Sequence, residues 1–166
     1  MIEIKLTQNQ VALIDDIDIE INNIKWFAHK KGKYNIQWYA MRGEYINKKQ
    51  YQIYMHRVIL ERILGRKLEK GEQVDHINCD GLDNRRLNLR LATHKDNIHN
   101  QRPYKSLKSS QYKGVSWITE KRKWKSQIRI NDIPTHLGYF DNEEMARDCY
   151  NKKAKELYGE FAYAND

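Results

Sequence analysis

The stretch from residue 73 to residue 97, QVDHINCDGLDNRRLNLRLATHKDN, constrains the fold more than any other part of the chain. Two short strand candidates, 74–77 and 87–91, flank an Asp-Gly pair, and this order is typical of a β-hairpin. Thr93, with Asp96 three residues later, is typical of a capped helix start. The stretch therefore predicts two antiparallel strands followed by a helix.

A hairpin followed by a helix would bring four polar side chains together although they are separated in sequence. Asp75 offers a hard oxygen ligand suited to Mg²⁺ or Mn²⁺, and the side-chain carbonyl of Asn97 offers a neutral one. His76 titrates near neutral pH and can take a proton from water. Asn88 can both donate and accept, so its amide can tie the hairpin loop. Because adjacent strand residues point to opposite faces, Asp75 and His76 are expected to have different roles.

Spacing alone leaves the second metal ligand open. His94 and Asn100 each lie about one helical turn from Asn97, so either is compatible with the same pattern. The other three residues also have purely structural alternatives, as a turn cap, a hairpin amide and an exposed strand histidine. Their combination at this spacing favours a metal site over three independent structural roles.

DHINCDGLDNRRLNLRLATHKDN resembles the HNH nuclease motif in its His-Asn-Asn variant, which is common among phage and intron-encoded homing endonucleases. The resemblance covers roughly residues 55–101. It implies that His76 activates water and that Asn88 supports the loop. It also implies that Asp75 and Asn97 hold one divalent ion, Mg²⁺ or Mn²⁺. The expected reaction is hydrolysis of DNA phosphodiester bonds, which leaves 5′-phosphate and 3′-hydroxyl ends.

The positive charge of the chain indicates a polyanionic partner. The 166 residues contain 30 Lys and Arg against 22 Asp and Glu, a formal net charge of +8. Segment 101–130 has nine basic residues and one acidic residue, so its own net charge is also +8. A solvated lysine-rich surface is the alternative interpretation. In the hairpin loop, Arg85 and Arg86 either position the scissile strand through its phosphates or are solvated turn residues.

The sequence KWKSQIRI alternates between a polar face and an apolar face. The polar face would carry Lys123, Lys125, Gln127 and Arg129, and the apolar face Trp124, Ser126, Ile128 and Ile130. The helical pattern of the following segment supplies a partner for the apolar face, through Met145, Ala146, Cys149, Tyr150, Ala154 and Leu157. The basic face would stay bare, and a sheet of this kind can enter the major groove of DNA.

YKGVSW, KWKSQIRI and HLGYFDNEEMARDCYNKKAKELYGEFA resemble the plant ethylene-response-factor (AP-two type) DNA-binding domain over nearly all of residues 109–162. That family reads DNA with outward residues of its three-stranded sheet. The positions that match here are Lys113, Ser116, Lys123, Gln127, Arg129 and His136. The plant family has other residues at 116, 127 and 136, so its target sequence is not expected to carry over. Gln127 suits an adenine edge and Arg129 a guanine edge.

These patterns predict an α+β fold in four segments. They are an N-terminal β-rich segment 1–54 with a small antiparallel sheet, an HNH (ββα-metal) module 55–101, a basic linker 102–110 and a DNA-binding domain 111–166. The last segment is expected to be a three-stranded antiparallel sheet packed on one helix. The N-terminal sheet is expected to start near residue 17 and to break at MRGEYINKK. Its core would contain Trp26, Phe27, Trp38 and Tyr39. A helix is expected over 55–64, ended by Gly65, with His56 in a structural hydrogen bond.

Composition also excludes several classes of protein. Only Cys79 and Cys149 are present, so we expect no disulfide framework, no disulfide-linked partner and no cysteine zinc site. The N-terminus lacks a signal-peptide pattern, and no stretch approaches about eighteen apolar residues. We therefore expect an intracellular protein without a membrane partner, in the cytoplasm of a bacterium or a phage-infected cell.

The leading hypothesis is a metal-dependent endonuclease of the homing type, delivered to double-stranded DNA by its C-terminal domain. A DNA-binding regulator with an inert nuclease-like scaffold is the alternative from another class. An RNA-binding protein is third, because the sheet lacks an obvious pair of exposed stacking aromatic residues.

Overall fold

The computed structural model describes residues 1–33, 36–103 and 109–165, and the chain forms two compact units, Met1–Asn97 and Ile98–Asp166. Small antiparallel sheets and a few helices agree with the predicted α+β class. In chain order the elements are β1 Ile2–Lys5, β2 Val11–Ile14, β3 Phe27–Lys31, β4 Gln37–Ile46, β5 Lys49–Tyr54, α1 Met55–Leu64, β6 Gln73–His76, β7 Leu89–Ala92, α2 His94–Asn100, β8 Val115–Ile118, β9 Lys123–Ile130, β10 Ile133–Phe140 and α3 Glu143–Tyr158.

Segments 1–54 and 55–101, which the sequence predicted as separate, contribute to one hydrophobic core. A two-stranded hairpin such as β1–β2 cannot bury enough apolar surface by itself, so it packs on α1 and β7. The buried members of this core are Ile4, Ala12, Ile14, Ile21, Trp26, Ala40, Met55, Ile59, Leu60 and Leu89.

Two predictions about the N-terminal sheet are wrong. The alternating segment after Asp15 forms a 3-10 helix, Asp16–Asn23, and the sheet starts at Phe27. The helix buries Asp18 completely, and its carboxylate pairs with Arg86 in the loop 77–88 of the β6–β7 hairpin. β4 also continues through the predicted turn, and the reversal comes at Asn47 and Lys48, which have φ values of 49° and 64°. Two consecutive left-handed residues form the turn that best matches strand twist.

The four aromatic residues predicted for the sheet core have different positions. Trp26 is buried, and its indole N–H donates to the carbonyl of Ile21 at 3.0 Å. Phe27 is 40% exposed, so its assignment to the core is wrong. Trp38 and Tyr39 are half-buried. The Tyr39 ring lies 6.0 Å from the ring of His76, so the sheet reaches the β6–β7 hairpin.

The predicted helix 55–64 is confirmed as α1. It ends at Gly65, whose φ of 66° is a left-handed conformation that glycine adopts without strain. Ile59 and Leu60 are buried against the sheet. Within the described parts of the chain, no helix combines the length and the apolar character needed to cross a membrane.

The second unit has the predicted three-stranded sheet on one helix. β9 lies between β8 and β10, and both pairings are antiparallel. Asn142 caps α3 by accepting from the backbone N–H groups of Glu144 and Met145 at 2.7 and 3.3 Å. The buried residues of α3 are Ala146, Tyr150 and Ala154. Two other members of the predicted stripe, Met145 and Leu157, are 57% and 39% exposed, because α3 covers the sheet with a narrower face.

The boundary between the units falls inside α2, whereas the sequence predicted a linker at 102–110. Of that linker, residues 104–108 lie outside the described part of the chain. The Nζ of Lys113 donates to the carbonyls of Ile98, His99 and Gln101 at 3.1, 2.7 and 2.8 Å. The His99 ring also stacks on Tyr158, with centroids 3.7 Å apart. These contacts join the last residues of α2 to the C-terminal unit.

Candidate active site

Strand β6 places Asp75 and His76 next to each other in a buried setting. It pairs with β7 in antiparallel register, with Asp75 opposite Arg90 and His76 opposite Leu89. The Nε and Nη2 atoms of Arg90 lie 2.8 and 2.6 Å from Oδ2 of Asp75. Asp75 is 6% exposed and His76 is 7% exposed. The carboxylate is therefore held in position by a cross-strand ion pair.

The His76 ring packs among polar and aromatic neighbours. Its Nε2 lies 3.4 Å from Oδ1 of Asn84, and the rings of His56 and Tyr39 lie 5.1 and 6.0 Å away. Burial lowers the pKa of His76, while the bond to Asn84 and the charge of Asp75 act in the opposite direction. A lowered pKa leaves the imidazole neutral at neutral pH, which is the form that accepts a proton.

His56 belongs to this group of rings, which the sequence did not indicate. Its ring is perpendicular to that of His76 and stacks on Tyr54 with centroids 5.3 Å apart. Burial lowers the pKa of His56 well below its usual value. Its Nδ1 is buried without a hydrogen-bond partner among the described residues. This atom therefore does not make the structural hydrogen bond that was expected for His56.

Asn88 connects the two ends of the hairpin loop. Its Oδ1 accepts from the backbone N–H of Asn78 at 3.0 Å. Its Nδ2 donates to the carbonyl of Asp83 at 2.7 Å and to Oδ1 of Asn78 at 3.0 Å. A buried amide that uses both its donor and its acceptor in this way fixes the loop that follows His76.

The N-terminal strands hold the same loop from outside. The side chain of Gln37 in β4 donates to the carbonyl of Cys79 at 2.7 Å. Leu13 in β2 makes two backbone hydrogen bonds to the loop, from its N–H to Leu82 and from the N–H of Asn84 to its carbonyl. The N-terminal strands therefore support the loop of the β6–β7 hairpin.

Asn97 lies in the first turn of α2, after the predicted Thr93–Asp96 cap, which is confirmed by bonds in both directions. Its Nδ2 donates to Oε1 of Gln73 at 2.8 Å and to the carbonyl of Val74 at 3.4 Å. Within the described residues no group donates to its Oδ1. Gln73 was not among the site residues predicted from the sequence, although its place two residues before Asp75 was a usable signal.

Asp75 and Asn97 supply a donor set that fits a hard divalent ion. Both offer oxygen atoms, and the amide of Asn97 is oriented by its nitrogen, so its oxygen is left for a ligand. The two alternatives to Asn97 as second ligand have other surroundings. His94 is exposed, and Asn100 is buried in the second unit. No cluster of three or more His, Cys, Asp or Glu side chains suited to a metal occurs in the described residues.

Arg85 and Arg86, predicted to contact DNA, form ion pairs within the first unit. Arg85 binds Asp83 through Nε and Nη2 at 2.7 and 2.6 Å. Arg86 binds the buried Asp18 through Nε and Nη2 at 2.7 and 2.9 Å, and its backbone N–H donates to Asp15 at 2.7 Å. Hydrogen bonding to Arg86 lowers the pKa of Asp18 despite its burial. These pairs anchor the loop.

The polar face of the C-terminal sheet brings several predicted DNA contacts together. Ser116 is the cross-strand neighbour of Lys125, and His136 is the neighbour of Gln127. The opposite face of β9 is buried at Ser126 and Ile128, as the alternation predicted.

The other predicted DNA contacts in this unit have internal partners. The Nζ of Lys123 lies 2.6 Å from Asp141, and Nη1 of Arg129 donates to the carbonyl of Asp132 at 3.2 Å. Lys113 is not part of the sheet face, because its ammonium group caps the end of α2.

Comparison with known proteins agrees with the geometry of the first unit. Residues 53–99 match the family model described as HNH endonuclease. A protein named as an uncharacterized HNH endonuclease, from Acanthamoeba polyphaga mimivirus, is 35% identical over 142 residues, which cover 85% of this chain and 71% of that protein. Protein 3.8 of Escherichia phage T7 is 33% identical over 95 residues, which cover 57% of this chain and 77% of that protein. No solved structure matches. The chain therefore belongs to the HNH endonuclease family.

Proposed function

We propose that this nuclease is a metal-dependent endodeoxyribonuclease that hydrolyses phosphodiester bonds of double-stranded DNA. The observation that carries the proposal is the placement of two side chains on strand β6 and of a third, from α2, against the same strand. Asp75 and His76 are its last two residues, and the amide of Asn97 is bonded to its first two. These contacts support a pair of hard oxygen ligands, Asp75 and Asn97, that would act together with the buried imidazole of His76.

Each residue has one role in the proposed reaction. His76 takes a proton from the attacking water, which adds to phosphorus in line with the departing 3′ oxygen. Asp75 and Asn97 would hold a Mg²⁺ or Mn²⁺ ion, which when bound supplies charge neutralisation at the phosphate oxygens. Asn88 keeps the loop after His76 in place. The products are a 5′-phosphate and a 3′-hydroxyl.

The C-terminal sheet is proposed to deliver the nuclease to DNA. Ser116, Lys125, Gln127 and His136 would lie toward the groove, with Lys123 and Arg129 at the edge. Linking a binding unit to a nuclease raises the concentration of the nuclease at its target, so the catalytic unit itself can bind weakly. Relatives in a virus and a phage support a role in mobile elements, as a homing endonuclease.

Substitution of the proposed base and ligand tests the catalytic assignment. His76→Ala should abolish plasmid nicking in Mg²⁺ while DNA binding stays nearly intact, and Asp75→Ala should abolish the metal-dependent rate. The wild type with EDTA is the blank. His94→Ala is the matched control, because His94 is exposed and should keep wild-type activity if Asn97 is the second ligand.

Two outcomes would contradict the proposal. Wild-type nicking by His76→Ala would refute the assignment of the base. Binding without cleavage at every Mg²⁺ and Mn²⁺ concentration would favour a DNA-binding regulator with an inert nuclease scaffold.

A further inference from the structure

Leu87 is the most exposed large apolar side chain among the described residues, at 95%. It lies in the short 3-10 turn Arg86–Asn88, at the start of β7. Exposed leucines are common on protein surfaces when they are scattered or mobile. This leucine is different because of how its backbone is held and where it lies.

Both neighbours of Leu87 are fixed. Arg86 is bonded through its backbone N–H to Asp15 and through its guanidinium to Asp18. Asn88 is buried, with its backbone N–H bonded to the carbonyl of Arg85 at 2.9 Å and its amide bonded within the loop. The backbone that carries Leu87 is therefore held in place on both sides, and its side chain projects into solvent.

Leu87 lies at the catalytic end of the hairpin. It comes two residues before Leu89, which pairs with His76 in the β6–β7 register. The backbone N–H of Ile77, the residue after His76, donates to the carbonyl of Asn88 at 2.9 Å. Ile77 is itself 45% exposed, so two apolar side chains flank the end of the hairpin that carries the proposed base.

We propose that Leu87 is a wedge that enters the minor groove of the substrate and unstacks the base step next to the scissile phosphate. This inference rests on the proposed function. Apolar side chains inserted between base steps kink a duplex toward the major groove and expose its backbone. The occupant is a duplex rather than a protein, because one protruding leucine is far smaller than a specific protein interface. Arg85 and Arg86, next to Leu87 in the loop, are paired with Asp83 and Asp18 but keep exposed fractions of 43% and 31%, so each would also reach a phosphate of that duplex.

Fluorescence of 2-aminopurine tests for the unstacking directly. The wild-type cut is first mapped on a plasmid, and a synthetic duplex of that site is made with 2-aminopurine at the flanking step. Binding of the His76→Ala variant, which does not cut, should raise the fluorescence. The double variant His76→Ala, Leu87→Ala should bind without this rise. In the active protein, Leu87→Ala should lower the cleavage rate by about tenfold or more.

A mismatch at the same step distinguishes a wedge from a merely structural residue. A mismatched step is already poorly stacked, so it should restore cleavage by Leu87→Ala toward the wild-type rate. Leu157→Ala, at an exposed position on α3, is the matched control and should behave as the wild type on both duplexes. Because Leu87 is exposed, the thermal midpoint of Leu87→Ala should equal that of the wild type.

Equal cleavage rates and equal fluorescence for Leu87→Ala and the wild type would overturn the wedge while leaving the proposed function standing. Loss of activity that the mismatch does not rescue would also overturn it. If the wild type cuts no DNA, the proposed function fails, and the wedge fails with it.

Discussion

The amide of Asn97 can turn either its oxygen or its nitrogen toward β6, and Gln73 decides which. Oε1 of Gln73 accepts from Nδ2 of Asn97 at 2.8 Å, and the carbonyl of Val74 accepts from the same nitrogen at 3.4 Å. A side chain that orients a metal ligand in this way commonly changes metal affinity when it is lost. Gln73 is therefore proposed as a positioning residue for Asn97.

Gln73→Leu keeps most of the side-chain volume but removes the acceptor. We expect its affinity for Mn²⁺ to fall about 10- to 100-fold, because the amide of Asn97 loses its orientation. Calorimetric titration of the full chain with Mn²⁺, in the absence of DNA, measures this affinity. Gln52→Leu, on the exposed strand β5, is the control. An unchanged Mn²⁺ affinity in Gln73→Leu would contradict the assignment.

At the scale of elements, the loop of the β6–β7 hairpin packs directly on the N-terminal strands. A Cβ at Gly81 would lie 2.4 Å from the carbonyl oxygen of Trp38 and 2.6 Å from the Tyr39 ring, so the loop contacts β4 backbone to backbone. Glycine is required there for close approach rather than for a left-handed φ. The Arg86–Asp18 pair then fixes the far side of the loop to the 3-10 helix.

Gly81→Ala tests the contact between loop and strand. We expect the free energy of unfolding to fall by about 1–3 kcal/mol, because the new methyl group meets backbone that cannot move aside cheaply. Denaturant unfolding measures the change. Gly43→Ala is the matched control, since its Cβ would meet only the flexible end of Gln50 at 2.9 Å. Equal stability of the two variants would show that the loop is not seated as described.

Asp18→Asn tests the buried ion pair. Removal of the charge should cost about 2–3 kcal/mol at pH 7, because the guanidinium of Arg86 loses its partner. Since the pKa of Asp18 is lowered in the folded state, its contribution is full above the unfolded pKa and is lost as the pH falls through the folded value. The difference in unfolding free energy between the wild type and Asp18→Asn should therefore become smaller below about pH 4. Urea unfolding at several pH values measures it. A difference that is constant with pH would rule out the ionic origin.

At the scale of the whole molecule, charge is distributed over both units. Met1–Asn97 has 17 Lys and Arg against 13 Asp and Glu, and Ile98–Asp166 has 13 against 9, so each carries +4. In the second unit strand β9 carries Lys123, Lys125 and Arg129 and no acidic residue. A chain built in this way should bind DNA through counterion release.

Salt titration of DNA binding measures this effect. The logarithm of the association constant should fall linearly with the logarithm of the salt concentration. Lys125→Ala, which would remove a phosphate contact, should reduce the slope by about one. Lys153→Ala is the control, because Lys153 pairs with Glu156 on α3. A flat salt response of the wild type would exclude this mode of binding.

Local patterns predicted the elements that carry the site but not their setting. The β6–β7 hairpin, the Thr93–Asp96 cap, the end of α1 at Gly65 and the alternation of β9 all depend on residues within a few positions of each other. The polar-apolar alternation after Asp15 predicted a strand, which is wrong. A 3-10 helix forms there and buries Asp18 against Arg86.

The sequence alone determined that a hairpin and a helix place an aspartate, a histidine and two asparagines in one segment, since strand alternation and helix capping are local. Only the tertiary structure decided what surrounds them. Asp18 and Arg86 are 68 residues apart, and Gln37 and Cys79 are 42 apart. Such pairs leave no periodic signal in the chain, because their geometry depends on how separate strands pack. For the same reason, the display of Leu87 beside the site was visible only in three dimensions.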